Sequence, residues 1–105
     1  MSVCMVRYKL LIRKGALRQL ESIVDYIAQD RPQVAQLQAD KILDTIQLLD
    51  EFPFMGPITR DPKLAKKNYR VLPVEEYLVL YLINEDEDTV IVERILSAKQ
   101  YSYYL

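Results

Sequence analysis

The sequence contains no histidine and no tryptophan, one cysteine and two glycines in its 105 residues. Without histidine, the chain lacks the side chain that usually carries protons near neutral pH and most often binds metal ions. The single cysteine, Cys4, excludes a disulfide within one chain and fits a small buried apolar side chain better than a nucleophile. Any chemistry must therefore use lysine, arginine, tyrosine or carboxylate groups, and we expect neither a metal nor a cofactor.

Long hydrophobic runs are also missing. The longest uncharged stretches, among them Phe52–Thr59 and Tyr77–Asn84, reach only eight residues, whereas a membrane-spanning helix needs about 20. Arg7 and Lys9 interrupt the apolar stretch near the start, so we expect no signal peptide. These features predict a cytoplasmic protein without membrane contact.

Neither sign of charge prevails in the whole chain. The 14 Lys and Arg residues nearly balance 15 Asp and Glu residues, which gives a net charge of −1 and a pI of about 5.4. With half of its residues hydrophobic, residues 1–105 are predicted to form a single folded domain. The charge is nevertheless segregated: Met1–Arg18 and Arg60–Arg70 are basic, while Glu75–Glu93 carries seven acids. A fold that keeps this separation presents a basic surface suited to an acidic protein or to RNA.

The hydrophobic pattern predicts a strand followed by two helices. Alternating apolar residues indicate a first strand over Met5–Ile12. Apolar residues three and four positions apart then indicate helices over Gly15–Gln29 and Pro32–Asp50. The short connection predicts an antiparallel helical hairpin, in which Ala35 and Ala39 allow close approach.

The second half of the chain predicts a loop and three strands. Prolines and a glycine mark Phe52–Lys67 as a loop, and strands are indicated over Tyr69–Val74, Tyr77–Asn84 and Thr89–Ala98. The middle strand is apolar on both faces, so we expect it at the centre of the sheet. The order β-α-α-β-β-β predicts an α+β fold, with an antiparallel sheet packed against the N-terminal helical hairpin. Four apolar side chains are expected to pin the loop: Phe52, Phe54, Met55 and Ile58.

Six strings occur in order along nearly the whole chain: Tyr8–Ile12, Ala16–Ile27, Phe52–Gly56, Tyr69–Leu72, Tyr77–Tyr81 and Val92–Leu96. In order and spacing they resemble the RelE/ParE superfamily of toxins from bacterial type II toxin–antitoxin modules. The resemblance implies a cognate antitoxin, bound in a hetero-oligomer, and one of two targets. ParE-like members inhibit DNA gyrase, and RelE-like members cut mRNA on the ribosome. The long hairpin and the Pro-x-Met-Gly string are more similar to the ParE branch.

The nuclease alternative needs groups that hold a phosphate and move protons. RelE-like nucleases typically carry an arginine near the position of Leu78, which this chain lacks. A pI of about 5.4 is also unusual for an enzyme whose affinity depends on phosphate contacts. The leading prediction is therefore gyrase inhibition. For a nuclease, the resemblance implies a metal-independent catalytic set: Arg70, Arg94, Lys99 and Tyr101.

Arg94, the loop lysines and the terminal tyrosines also have structural explanations. Strand alternation places Arg94 on one face with Val90 and Val92, where pairing with a carboxylate would account for it. Lysines in a loop are commonly solvated, and terminal tyrosines commonly pack at the end of a sheet.

The residues predicted to bind a partner belong to the cations, the terminal aromatics and the central strand. A C-terminal antitoxin segment, disordered when free, would cover the doubly apolar strand, and the residues predicted to bind it are Leu78, Leu80 and Leu82. A third alternative is a non-toxic module that only binds antitoxin. The residues predicted to bind the target are Lys63, Lys66, Lys67, Tyr103 and Tyr104.

Overall fold

A four-stranded sheet and two long helices make up the fold. The structure, a computed structural model, describes residues 7–101, with Gln100 and Tyr101 described by their backbone only. Short helical segments precede and follow the strands of the second half. In chain order the elements are β1 (Lys9–Ile12), α1 (Lys14–Ala28), α2 (Pro32–Gln47), a 3₁₀ turn (Leu48–Asp50), α3 (Pro62–Ala65), β2 (Arg70–Val74), β3 (Tyr77–Asn84), β4 (Thr89–Ser97) and α4 (Ala98–Tyr101).

The predicted helical hairpin is confirmed. The N–H of Arg31 donates to the carbonyl oxygen of Ile27 at 2.7 Å, which closes α1, and Pro32 then occupies the first turn of α2, where its missing N–H has no helical partner to lose. Ala35 and Ala39 are buried, as close packing of the two helices requires. The short helices α3 and α4 were not predicted.

The three-strand meander is confirmed, but the sheet is mixed rather than antiparallel throughout. Its strand order is β1-β4-β3-β2, and β2, β3 and β4 pair antiparallel. β1 lies parallel to β4, with Lys9 opposite Thr89 and Ile12 opposite Val92. The whole hairpin and two strands separate β1 from β4, so no tight turn imposes an antiparallel pairing on them.

β3 lies between two other strands, as its sequence predicts, and its middle residues are buried on both faces. Val79 and Tyr81 point to the helices and join a core with Ile42 and Ile46 of α2. Leu80, on the opposite face, is only 3% exposed. Burial of each of these large side chains contributes about 1.5–3 kcal/mol to the free energy of unfolding. The contact between β3 and α2 therefore supplies much of the stability of the fold.

A β-bulge in β4 changes which residues face the helices. Leu80 lies opposite Arg94, whereas the next residue, Tyr81, lies opposite Val92, which leaves Glu93 as the extra residue. Val90 and Val92 face the helices, and Arg94 faces away from them with Leu80. The expectation from strict alternation, that Arg94 shares a face with the two valines, is therefore wrong.

Within residues 7–101, no strand lies beside the second half of β4 on the β1 side, and α1 covers this edge. The side-chain oxygen of Gln19 accepts a hydrogen bond from the buried N–H of Ile95 at 2.9 Å. This contact replaces the ladder bond that a longer β1 would make, because a buried N–H without an acceptor is costly.

Replacing Gln19 with alanine is expected to lower the free energy of unfolding by about 1–2 kcal/mol, since the N–H of Ile95 then loses its acceptor. Urea denaturation of the purified chain measures this difference. Gln33, exposed on α2, provides the control: Gln33→Ala should leave the midpoint nearly unchanged. Equal midpoints for the two variants would show that water replaces the contact.

Candidate functional site

The buried hydroxyl of Tyr81 holds the loop that follows α2. It donates a hydrogen bond to the carbonyl oxygen of Pro53 at 2.8 Å and accepts one from the N–H of Gly56 at 2.9 Å. The Tyr81 side chain has no exposed surface, and this burial raises the pKa of its hydroxyl. The hydroxyl therefore remains protonated near neutral pH and keeps its ability to donate.

The expectation that apolar contacts pin this loop is wrong. Its four large apolar side chains have exposed fractions between 41% and 52%: Phe52, Phe54, Met55 and Ile58. Between Phe52 and Ile58, the buried residues are instead Pro53 and Gly56. Polar contacts to the backbone hold the loop, which leaves the large apolar side chains at the surface.

Arg70, the first residue of β2, binds the same loop from a second side. Its Nη1 donates to the carbonyl oxygen of Gly56 at 2.8 Å, and its guanidinium carbon lies 5.0 Å from the centre of the Phe54 ring. The second contact has the geometry of a cation–π interaction. Arg70 thus positions the loop and Phe54, whether or not it contacts any ligand.

Within the loop, the segment from Pro57 to Asp61 runs along the outer edge of β2. The N–H of Thr59 donates to the carbonyl oxygen of Tyr69, and the N–H of Val71 donates to the carbonyl oxygen of Pro57, both at 3.0 Å. The Asp61 side chain then caps α3 by accepting from the N–H of Lys63 at 3.3 Å. These contacts keep the basic segment beside the apolar loop.

Four exposed cations follow the apolar loop: Arg60, Lys63, Lys66 and Lys67. Among the described residues, none of the four makes an ion pair, in contrast to Arg13 and Lys41, which pair with Glu93 and Glu75. Asp61, the one acid in the segment, is 8% exposed. The segment therefore presents positive charge that no described carboxylate neutralises.

We call the exposed apolar side chains of the loop and the four cations beside them the loop surface. It consists of Phe52, Phe54, Met55, Ile58, Arg60, Lys63, Lys66 and Lys67. Within it, the segment from Glu51 to Met55 encloses a depression of about 480 Å³. Three of the five residues predicted to bind the target, Lys63, Lys66 and Lys67, lie on this surface.

The two arginines predicted for a nuclease lie on opposite faces of the sheet. Arg70 pairs with Tyr81, which points to the helices. Arg94 pairs with Leu80, which points away from them. A catalytic site needs its cations around one phosphate, and the sheet itself separates these two.

Lys99 lines a cleft of about 980 Å³ between α1 and the ends of β3 and β4. Burial, with Glu76 and Tyr26 nearby, raises the pKa of Tyr77 in this cleft, which works against proton abstraction by that hydroxyl at neutral pH. The side chain of Tyr101 and all of Tyr103 and Tyr104 lie outside the described residues. The charged and aromatic side chains that line the cleft are Arg18, Tyr26, Glu76, Tyr77 and Lys99.

The leucines predicted to bind an antitoxin share one face of β3. Leu78 and Leu82 are half-buried, and Leu80 is 3% exposed. The exposed parts of this face are therefore at Leu78 and Leu82, with Leu80 packed between them.

Neither a metal-ion cluster nor a membrane-spanning helix occurs among the described residues. Within residues 7–101, no group of three or more His, Cys, Asp or Glu side chains is arranged to hold a metal ion. Over the same range, none of the helices combines the length and the apolar character that crossing a bilayer requires.

Comparison with known proteins gives a family and a fold. The family described as ParE toxin of type II toxin-antitoxin system, parDE, matches residues 10–101. A chain of the chromosomal ParDE system from P. aeruginosa superposes with a TM-score of 0.72 at 17% identity, over 87% of this chain and 96% of that one. A chain of the RelBE2 toxin–antitoxin complex from Mycobacterium tuberculosis superposes with a TM-score of 0.61 at 18% identity, over 88% and 99%. No curated protein sequence matches. The predicted fold is confirmed.

Proposed function

We propose, since the chain belongs to the family of ParE toxins of type II toxin–antitoxin systems, that it arrests growth by binding DNA gyrase in the cytoplasm. The observation that carries the proposal is the family match over residues 10–101. Binding requires an exposed surface with apolar and charged groups rather than a catalytic cluster. The loop surface has both kinds of group.

The alternative function is cleavage of mRNA on the ribosome, and the fold shared with a RelBE2 chain is the observation in its favour. This function requires several cations around one phosphate. Arg70 and Arg94 lie on opposite faces of the sheet, and Arg70 is already bonded to the loop. The geometry therefore supports binding better than RNA cleavage.

A cognate antitoxin is the second partner in this proposal. The structural neighbours come from a ParDE system and a RelBE2 complex, and this chain has a half-buried apolar face at Leu78 and Leu82. An antitoxin segment laid across that face would remove its apolar atoms from water. Leu80 would support the contact from below, because it is almost fully buried.

Pulse labelling of DNA and protein synthesis within minutes of inducing the chain alone tests the target. We expect DNA synthesis to fall first, and purified gyrase to lose supercoiling activity in the presence of the chain. If protein synthesis falls first and gyrase keeps its activity, the ribosome is the target. If neither falls, the chain is a non-toxic binding module.

The same assay tests the three lysines of the loop surface. Replacing Lys63, Lys66 and Lys67 together with alanine should weaken inhibition of DNA synthesis, since they supply the uncompensated positive charge that steers association. A second triple variant, with alanine at Lys9, Lys14 and Lys41, changes the net charge equally at other sites. Equal weakening by both variants would show that total charge, and not this segment, matters.

A further inference from the structure

We propose that the loop surface is the contact through which the chain binds its growth-arrest target, and that the partner is a protein surface with acidic residues beside an apolar patch. The inference rests on the proposed function and specifies its binding site. It assigns the apolar anchors of the contact to Phe52 and Met55, residues that were expected to pin the loop.

The first step is the unusual exposure of apolar side chains in one short segment. Phe52, Phe54 and Met55 are between 41% and 52% exposed and lie within four consecutive residues. Aromatic and methionine side chains are enriched at the centres of protein interfaces, and a contiguous exposed apolar patch often marks one. The adjacent depression of about 480 Å³ could receive an apolar side chain of the partner.

The second step is that these side chains are held in place before binding. The hydroxyl of Tyr81 bonds to Pro53 and Gly56, and Arg70 bonds to Gly56 and stacks on Phe54. An ordered surface loses little conformational entropy on association, so more of the contact energy appears as affinity. Four hydrogen bonds between these two side chains and the loop backbone therefore fix the loop before a partner binds.

The third step is the charge beside the patch. The four cations of the loop surface make no ion pair with any described residue, and the acid between them, Asp61, is buried. A basic segment beside an apolar patch is complementary to a partner surface with acidic residues beside an apolar patch. The positive charge of the loop surface therefore indicates that the contact surface of the partner is negatively charged.

A protein fits this surface better than RNA does. Base stacking needs free aromatic faces, and Arg70 already covers one face of the Phe54 ring. Met55 and Ile58 offer aliphatic contact, which suits apolar protein side chains. A net charge of −1 also gives the whole chain little general attraction to phosphate.

The test replaces Phe52 and Met55 together with serine in the full chain. Both side chains are exposed, and the hydrogen bonds that anchor the loop join Tyr81 and Arg70 to Pro53 and Gly56 instead, so thermal unfolding should change little. We expect binding to immobilised DNA gyrase to weaken about 30-fold, as the loss of two aromatic or sulfur-containing anchors implies. Growth arrest on induction should weaken in parallel.

The matched control replaces Val34 and Leu37 with serine. These residues are 43% and 61% exposed and lie near the start of α2, more than ten residues before the loop. This variant removes a similar amount of exposed apolar surface and should keep growth arrest. Equal loss of growth arrest in both variants would contradict a specific role for the loop surface.

Two readouts separate failure of this inference from failure of the proposed function. If the wild-type chain arrests growth without binding gyrase, the gyrase proposal fails, while loss of arrest in the loop variant still supports the surface. If the loop variant arrests growth as the wild-type chain does, the surface assignment is wrong. A third outcome would contradict the proposal of a protein partner. In this outcome, the wild-type chain binds a 20-nucleotide single-stranded RNA and the loop variant does not.

Discussion

Replacing Gly56 with alanine is expected to lower the free energy of unfolding by about 3 kcal/mol. A Cβ at this position would lie 2.8 Å from the carbonyl oxygen of Val71 and 2.9 Å from the hydroxyl of Tyr81. The first contact is with backbone in the sheet and the second is with a fully buried ring, so neither atom can move aside without loss of packing. Forcing a methyl group into such a space typically costs 1–3 kcal/mol, and displacement of the Tyr81 hydroxyl adds the loss of buried hydrogen bonds.

The chain offers a matched control in its other glycine. Gly15 lies in the first turn of α1, and nothing lies within 4 Å of the position its Cβ would take. Gly15→Ala should raise stability by up to about 1 kcal/mol, because alanine favours the helix. Urea denaturation of both variants at pH 7 measures the two effects, which should have opposite signs. Similar stability of the two variants would mean that the loop is not packed against β2 and β3.

Gly56 also links the core to the loop surface. Its N–H bonds to Tyr81 of β3 and its carbonyl oxygen accepts from Arg70 of β2. The sheet therefore determines where Phe54 and Met55 lie. We expect variants that loosen these bonds to reduce target binding more than their effect on global stability alone would imply.

The order and type of the long elements could be predicted from the sequence because each has a strong hydrophobic period. The helices over Gly15–Gln29 and Pro32–Asp50 were predicted to within a few residues of their observed limits. The strand Tyr77–Asn84 was predicted with its observed bounds. Periodicity of this kind follows from burial of one face or, in the central strand, of both.

Two features of the sheet lie beyond the reach of periodicity. The parallel pairing of β1 depends on where the hairpin returns the chain, which is a property of the whole fold. The bulge at Glu93 reverses the facing of the residues that follow it, and nothing in the string Val92-Glu93-Arg94 distinguishes a bulge from regular alternation. For this reason Arg94 was assigned to the wrong face.

The sequence predicted the charged residues of the candidate site but not the exposure of its apolar residues. Lys63, Lys66 and Lys67 were identified because charge clusters are visible in a sequence. The apolar residues Phe52 and Met55 were expected to pin the loop, since large apolar side chains usually pack against other apolar groups. The sequence does not show that Tyr81, twenty-five residues after Gly56, contacts the loop. Its hydroxyl holds the loop by hydrogen bonds in place of apolar contacts.

Replacing Tyr81 with phenylalanine is expected to lower the free energy of unfolding by about 2 kcal/mol at pH 7. The ring still fills the core, but the N–H of Gly56 loses its acceptor and the carbonyl oxygen of Pro53 loses its donor. Tyr26, 76% exposed, provides the control, and Tyr26→Phe should change stability little. A midpoint equal to that of the wild-type chain would mean that water replaces the hydroxyl, since a guanidinium group such as that of Arg70 cannot accept from the N–H of Gly56.

The pH dependence of this difference gives a second check. Burial raises the pKa of Tyr81 in the folded chain, so above the ordinary tyrosine pKa of about 10 the unfolded chain ionises at this residue before the folded chain does. The wild-type chain therefore loses stability as pH rises past about 10, and this contribution is absent from Tyr81→Phe. The difference in the free energy of unfolding between the wild-type chain and Tyr81→Phe should become smaller between pH 9 and pH 11, a range set by that ordinary pKa. A constant difference would indicate that the hydroxyl is as accessible to water as in an unfolded chain, and the loop would then not be anchored as the structure shows.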